Sequence, residues 1–307
     1  MCWKEKRLIN SIYYILYYEK MKSDIIRFVN KNKKIFVKIN SFLDRSNFLK
    51  NREEFINIVL KDLKKQKENN IAGFLNKKSL HDQLKREIFD NKQSLFFNYK
   101  VYHKIKIEKI KILIREIIED IDYLLDSRKI SIYIFPTLSN FVIKKMNGVS
   151  GFLVWKNTIH IYLYPLKGWG KNFKSAFLHE LAHCIQPYYS YKMNLFEHLI
   201  AEGLAEHFQK YYLKKINPWT KTINKKKAKE IFKRLNKKLD KIMEKNYSLH
   251  TGLFFGNKKY PLWTGYSISF YLVDDLLKKE KNIDWKKLLK TNPNLFKKDK
   301  RIKKWFD

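Results

Sequence analysis

The stretch FKSAFLHELAHCI, Phe173 to Ile185, places His179, Glu180 and His183 in the order His-Glu-x-x-His within an apolar background. Its pattern reads as a helix. Residues four apart lie on one helical face about a turn apart, so the two imidazoles can share one metal ion. Glu180 is offset round the helix and can reach a water on that ion without being a ligand, the arrangement a zinc hydrolase needs. By chance such a pattern arises about once per hundred chains of this composition, so it needs a companion.

The companion lies downstream. After Pro187 and the run Tyr188 to Asn194, a second helical segment, LFEHLIAEGLAEHFQKYYL, carries Glu202 and Glu206. Eighteen residues separate His183 from Glu202, enough for a reversal and a second helix beside the first. Glu202 then completes a His, His, Glu set, and its apolar neighbours Ile200, Ala201, Leu204 and Ala205 demand a partner for its charge. Zn2+ accepts such a set and keeps a fourth position for water. Glu206, four residues on, is placed to accept the free ring N–H of a ligand histidine, unless it is a solvated helix carboxylate.

Working outward, Ile107 to Asp126 spaces Ile110, Ile114, Ile117, Ile121 and Leu124 along one face of a long amphipathic helix. Three β-like runs follow, Ile130–Phe135, Gly151–Trp155 and Thr158–Tyr164. The last two are joined by Lys156-Asn157, a hairpin connection in which Lys is unhelpful if the turn needs positive φ. Strands followed by the motif helix predict an α+β fold. A peptide substrate can add as a strand to a sheet edge beside the metal, and Gly151, with its neighbour Phe152, is the expected contact point. Near the end, Gly256, Pro261 and Gly265 punctuate a loop before a helix from about Thr264. Tyr266 on that helix is the preferred hydroxyl donor to the site, with His250 the alternative. Lys221 to Lys245 reads as a solvated helix with Ile231, Leu235, Leu239 and Ile242 on its apolar face. Earlier, Asn51 to Lys65 reads as a packing helix, and His81 and His103 stand alone.

The chain of 307 residues is 45% hydrophobic and 16% aromatic, enough for a sizeable core. A net charge of +35 invites a nucleic-acid or anionic-membrane reading. Only nine of the 65 basic residues are Arg, however, and phosphate recognition favours arginine's fork. The lysines accompany abundant Ile, Asn, Tyr and Phe, as an A/T-rich genome would encode. A basic nucleic-acid- or membrane-surface-binding protein with a structural or vestigial metal site is thus the alternative reading. Two cysteines, Cys2 and Cys184, make no disulfide framework. The run Ile9 to Tyr18 is too short to span a bilayer and lacks a cleavage site, so the expected location is cytoplasmic.

Three blocks together, GFLVWKNTIHIYLYP, FLHELAHCI with HLIAEGLAEHF, and YPLWTGYSISFYLV, resemble the YjaZ-like family of predicted zinc-dependent proteases. The similarity runs from about Ser131 to Leu277 and covers the first hundred residues only loosely. The layout is more distantly similar to gluzincin metallopeptidases. The resemblance implies a zincin-like fold, mainly helical, with a small mixed sheet packed on the active-site helix. It implies peptide or protein substrates, zinc on His179, His183 and Glu202, Glu180 as base and Glu206 holding a ligand histidine. Gly265-Tyr266 matches a Gly-Tyr pair of the family. The expected division is a helical region over 1–105 and a metallopeptidase domain over 106–307.

Overall fold

Strand β3 (Arg128–Pro136) is central because it is apolar on both faces. Ile130, Ile132 and Ile134 enter one hydrophobic cluster while Tyr133 and Phe135 enter another on the opposite side of the sheet. Strand β5 (Thr158–Leu163) repeats this, with Ile159, Ile161 and Leu163 on the first side and Tyr162 on the second. The computed structural model describes residues 24–30, 33–42, 53, 56–57, 59–60, 77–89, 105–126, 128–278, 280 and 282–307. The run Ile9 to Tyr18, Cys2, His103 and most of the expected Asn51–Lys65 helix fall outside them, although Ile56, Val59 and Leu60 are described and buried.

With β1 (Asp24–Asn30), β2 (Lys33–Ser41) and β4 (Val149–Trp155), these strands form a five-stranded sheet in the order β1-β2-β3-β5-β4. The β2/β3 and β3/β5 pairs are parallel and the two outer pairs antiparallel. The sheet therefore draws strands from both sides of residue 105. Helix α1 (Lys77–Ile88) covers one face through Leu80, Leu84 and Ile88. Helix α2 (Ile107–Ile121) covers the other with Ile110, Ile114, Ile117, Ile118 and Ile121, as its periodicity predicts. After the short α3 (Asn140–Lys145), β4 and β5 form the expected hairpin. Only Asn157 takes positive φ (62°) in its two-residue turn, so Lys156 is accommodated.

Helix α4 (Trp169–Ile185) lies on the α2 side of the sheet, and α5 (Leu195–Leu213) packs beside it. The start of α5 is set locally. Asn194 Oδ1 accepts from Glu197 N at 2.9 Å, and Glu197 Oε2 accepts from Asn194 N at 2.8 Å, a reciprocal cap. Beyond it come α6 (Lys225–Leu235), α7 (Tyr247–Phe255), α8 (Thr264–Leu277), α9 (Trp285–Lys290) and α10 (Lys300–Lys303). The result is an α+β protein, mainly helical, with one small mixed sheet. Among the described residues no helix is long and apolar enough to cross a membrane.

Two expectations for the C-terminal third change. The apolar face of Lys221–Lys245 does not extend to Ile242, which is 40% exposed. The α-helix stops at Leu235 and continues as a 3-10 turn over Asn236–Lys238, which breaks the spacing. Gly265 lies in the first turn of α8 rather than in the loop, with the Phe254 ring where a Cβ would stand. Gly203 has a larger role, since it lets α8 approach α5 closely. A Cβ there would stand 2.3 Å from the Ser269 carbonyl oxygen and 2.6 Å from Val273 Cγ2. Gly203→Val should destabilise the chain by about 3 kcal/mol or more. Thermal unfolding checks this, and an unchanged midpoint would show that the two helices can part freely.

Candidate metal centre

The apolar positions of α4 (Phe173, Phe177, Leu178, Leu181 and Ile185) are buried, and the helix ends just before Pro187. Sheet packing thereby fixes the direction of the face that carries the histidines. His179 Nε2 and His183 Nε2 stand 3.1 Å apart. Glu202, from α5, places Oε2 3.2 Å from His179 Nε2 and Oε1 3.4 Å from His183 Nε2. One ligand atom from each of the three residues falls within 4.8 Å of the others. A tetrahedral ion with arms of about 2.1 Å needs ligand atoms about 3.4 Å apart, so this donor set has the spacing and the chemistry of a zinc site. Among the described residues it is the one such cluster.

The three side chains are held from behind. His183 Nδ1 lies 2.8 Å from Gln186 Oε1, whose amide nitrogen donates to the Ala201 carbonyl at 3.1 Å. An amide oxygen can only accept, so the proton is on Nδ1 and the Nε2 lone pair is free for a metal. Glu206, buried, lies with Oε1 3.2 Å from His179 Nδ1, at ion-pair distance but off the hydrogen-bond line. It is itself anchored by Trp219 Nε1 at 2.7 Å and Asn217 Nδ2 at 3.0 Å. Tyr189 stacks on His183 with centroids 3.9 Å apart and donates its hydroxyl to Glu202 Oε1 at 3.2 Å. His198 Nε2, one turn before Glu202, approaches the same oxygen at 3.3 Å.

Gln186, Tyr189, His198, Asn217 and Trp219 go unmarked in the sequence reading. Two of them carried a signal, because Gln186 follows His183 by three positions and His198 precedes Glu202 by four, both helical-neighbour spacings. The other three reach the site through loops. Tyr189→Phe should keep the stack and weaken zinc binding about tenfold or more through the lost hydroxyl. Competition with a chelating dye reads this, and an unchanged affinity would remove Tyr189 from the support of Glu202.

Glu180 points from α4 toward β4. The nearby Leu153 backbone N–H favours the charged form of its carboxylate. A Cβ on Gly151 would stand 2.7 Å from Glu180 Cγ, so glycine is what admits this side chain against the strand. Burial pushes the Glu180 carboxyl up, against the pull of His179 and His183. For Glu202 burial acts in the same direction, but His183, His179 and His198 outweigh it and hold the carboxyl well below its ordinary value. For His179 burial disfavours the charged ring, and Glu202 and Glu206 overcome it to hold the ring well above its ordinary value.

Glu180 and Glu202 open onto a cleft of about 500 Å³ along β4, an edge strand. Gly151, Phe152, Tyr266 and His250 also line it. Phe152 packs on the α1 side of the sheet, opposite α4. Tyr266, in the first turn of α8, sets its ring 4.9 Å from Phe254. Burial, then the Glu202 charge, raises the Tyr266 hydroxyl well above its ordinary pKa, so it stays a donor. Burial, with His198, holds His250 well below its ordinary value, so its ring is neutral.

Fold and site together define a protein in which two imidazoles from one helix and a carboxylate from the next form a cluster that could hold a metal ion, with a further carboxylate alongside. Residues 110–298 match the model of the family described as Predicted Zn-dependent protease (DUF2268), and the chain belongs to that family. No curated protein matches the chain significantly.

Proposed function

We propose that the protein is a zinc peptidase that hydrolyses peptide bonds with Glu180 as general base. The observation that carries this reading is the convergence of His179, His183 and Glu202 beside a carboxylate that is not among the ligands. Zinc held by those three residues supplies a Lewis acid that brings a water's pKa toward neutrality and polarises the scissile carbonyl. Glu180 takes the proton of the attacking water, a C–O bond forms, and the raised Glu180 carboxyl returns that proton to the departing nitrogen as the C–N bond breaks. Tyr266, which lines the cleft from the first turn of α8, donates its hydroxyl to the oxyanion. The free edge of β4 at Gly151 and Phe152 holds the substrate main chain as an added strand. Glu206, whose Oε1 lies 3.2 Å from His179 Nδ1, would steady that ring for the metal through its charge. Residues 106–307 contain every group in this scheme.

The test is metal content of the purified chain paired with a peptide-library digest with and without chelator. One zinc per chain and chelator-sensitive cleavage are expected. A zinc-loaded chain that leaves the library intact would overturn the reading. Gly151→Ala sharpens it, because the added methyl displaces the Glu180 carboxylate while the ligands stay in place. A misplacement of this kind costs about 10²-fold in turnover, with zinc content unchanged. Full activity in that variant would show that the base does not depend on its seat against β4.

A further inference from the structure

The cleft differs in charge from the molecule that contains it. Lys and Arg make up 65 of the 307 residues, yet among the described residues lining the cleft Arg86 alone has a permanent positive charge. Outside the metal centre, to which Glu180 and Glu202 belong, its carboxylates are Asp82 and Glu87. Asp82, Arg86 and Glu87 come from α1, which precedes the family-matched residues. Arg86 and Glu87 offset each other, with Arg86 Nε 3.1 Å from Glu87 Oε1, so the net charge of this wall rests on Asp82. The Asp82 side chain is 61% exposed, with Oδ1 3.5 Å from His81 Nδ1. Helix α1 is held in place at its C-terminal end, where Leu138 N donates to Ile88 O at 2.7 Å.

The opposite wall is apolar. Phe254, Phe255 and Tyr247 on α7 line it, and Tyr247 and Phe255 are each more than half exposed at its rim. Exposed aromatics beside a cleft mark a surface that takes up apolar groups. The His198 ring, 9% exposed, also lines this part of the cleft, and its Nδ1 has no hydrogen-bond partner among the described residues. These two walls lie on opposite faces of the sheet, since α1 packs on the Tyr133/Tyr162 face and α4 on the other. Side chains of a strand alternate between faces. A peptide added to the β4 edge therefore sends one side chain toward α7 and both its neighbours toward α1.

Resting on the peptidase reading for the position of the main chain, we propose that the cleft selects extended peptides with a bulky apolar residue flanked by basic ones. On this assignment α1 is the element that reads the flanking charge, which gives part of the N-terminal region a role in substrate choice. The lysine-rich remainder of the surface acts at longer range and is screened beyond about 8 Å at physiological salt.

The test uses fluorescein-labelled hexapeptides with Lys-Phe-Lys, Glu-Phe-Glu or Lys-Ser-Lys cores. Each is titrated by anisotropy with the full-length Glu180→Gln chain in zinc-supplemented 0.15 M salt. The Lys-Phe-Lys peptide should bind roughly tenfold tighter than either of the others. Adding Asp82→Lys, an exposed change checked for folding by circular dichroism, should remove most of the Lys-over-Glu preference and leave the Phe-over-Ser preference. Equal or tighter binding of Glu-Phe-Glu, an Asp82→Lys variant with the preference intact, or no binding of any peptide at millimolar chain overturns the proposal. Wild-type chain that binds with this preference yet leaves Lys-Phe-Lys uncut overturns hydrolysis alone.

Discussion

Glu180→Gln lowers peptide turnover by about 10²- to 10⁴-fold while zinc stays at one per chain. The substitution keeps the shape of the side chain and an oxygen that can accept from Leu153 N–H, so its seat against Gly151 survives. It removes the group that can accept and return a proton. Since the ligand atoms belong to His179, His183 and Glu202, metal content should not follow activity down. Metal analysis and turnover on one preparation make the comparison. Turnover within a few-fold of wild type would reject Glu180 as base, and zinc loss would make it a ligand instead.

His183→Ala gives the opposite pattern, with metal lost and activity lost as a consequence. His183 is buried, held through Gln186, and supplies one of the three converging atoms. A ligand that binds only the folded chain stabilises it by about 2.7 kcal/mol at a free concentration of 100 times its Kd. The wild-type melting temperature should therefore rise when zinc is added and fall with chelator, whereas that of His183→Ala should respond to neither. Stoichiometric zinc in the variant would remove His183 from the ligand set. The two substitutions thus separate a group that performs chemistry from one that holds the ion.

Much of the fold was legible because its signals are local. The isoleucines of α2 repeat at helical spacing, and the apolar runs of β3 and β5 announce strands buried on both faces. The hairpin turn was legible as well, although the reservation about Lys156 dissolved once Asn157 took the left-handed position. The expected helix face at Ile242 failed because the backbone changed helix type at Asn236, which side-chain periodicity does not report. The joining of β1 and β2 to the sheet was also hidden, since pairing between distant segments leaves no mark in either.

By itself the sequence determined the candidate metal donors and base of this protein: four-residue spacing on one helix puts two imidazoles together, and a carboxylate among apolar neighbours requires a charged partner. Only the tertiary structure decided what supports and surrounds them. Trp219 and Asn217 on Glu206, Tyr189 on Glu202, Gly151 beneath Glu180 and α1 across the cleft are contacts between different elements of the fold. Helix periodicity is dictated by local backbone hydrogen bonds and can be read residue by residue. The position of a sheet edge or a remote indole follows from how the whole core packs, which no local pattern encodes.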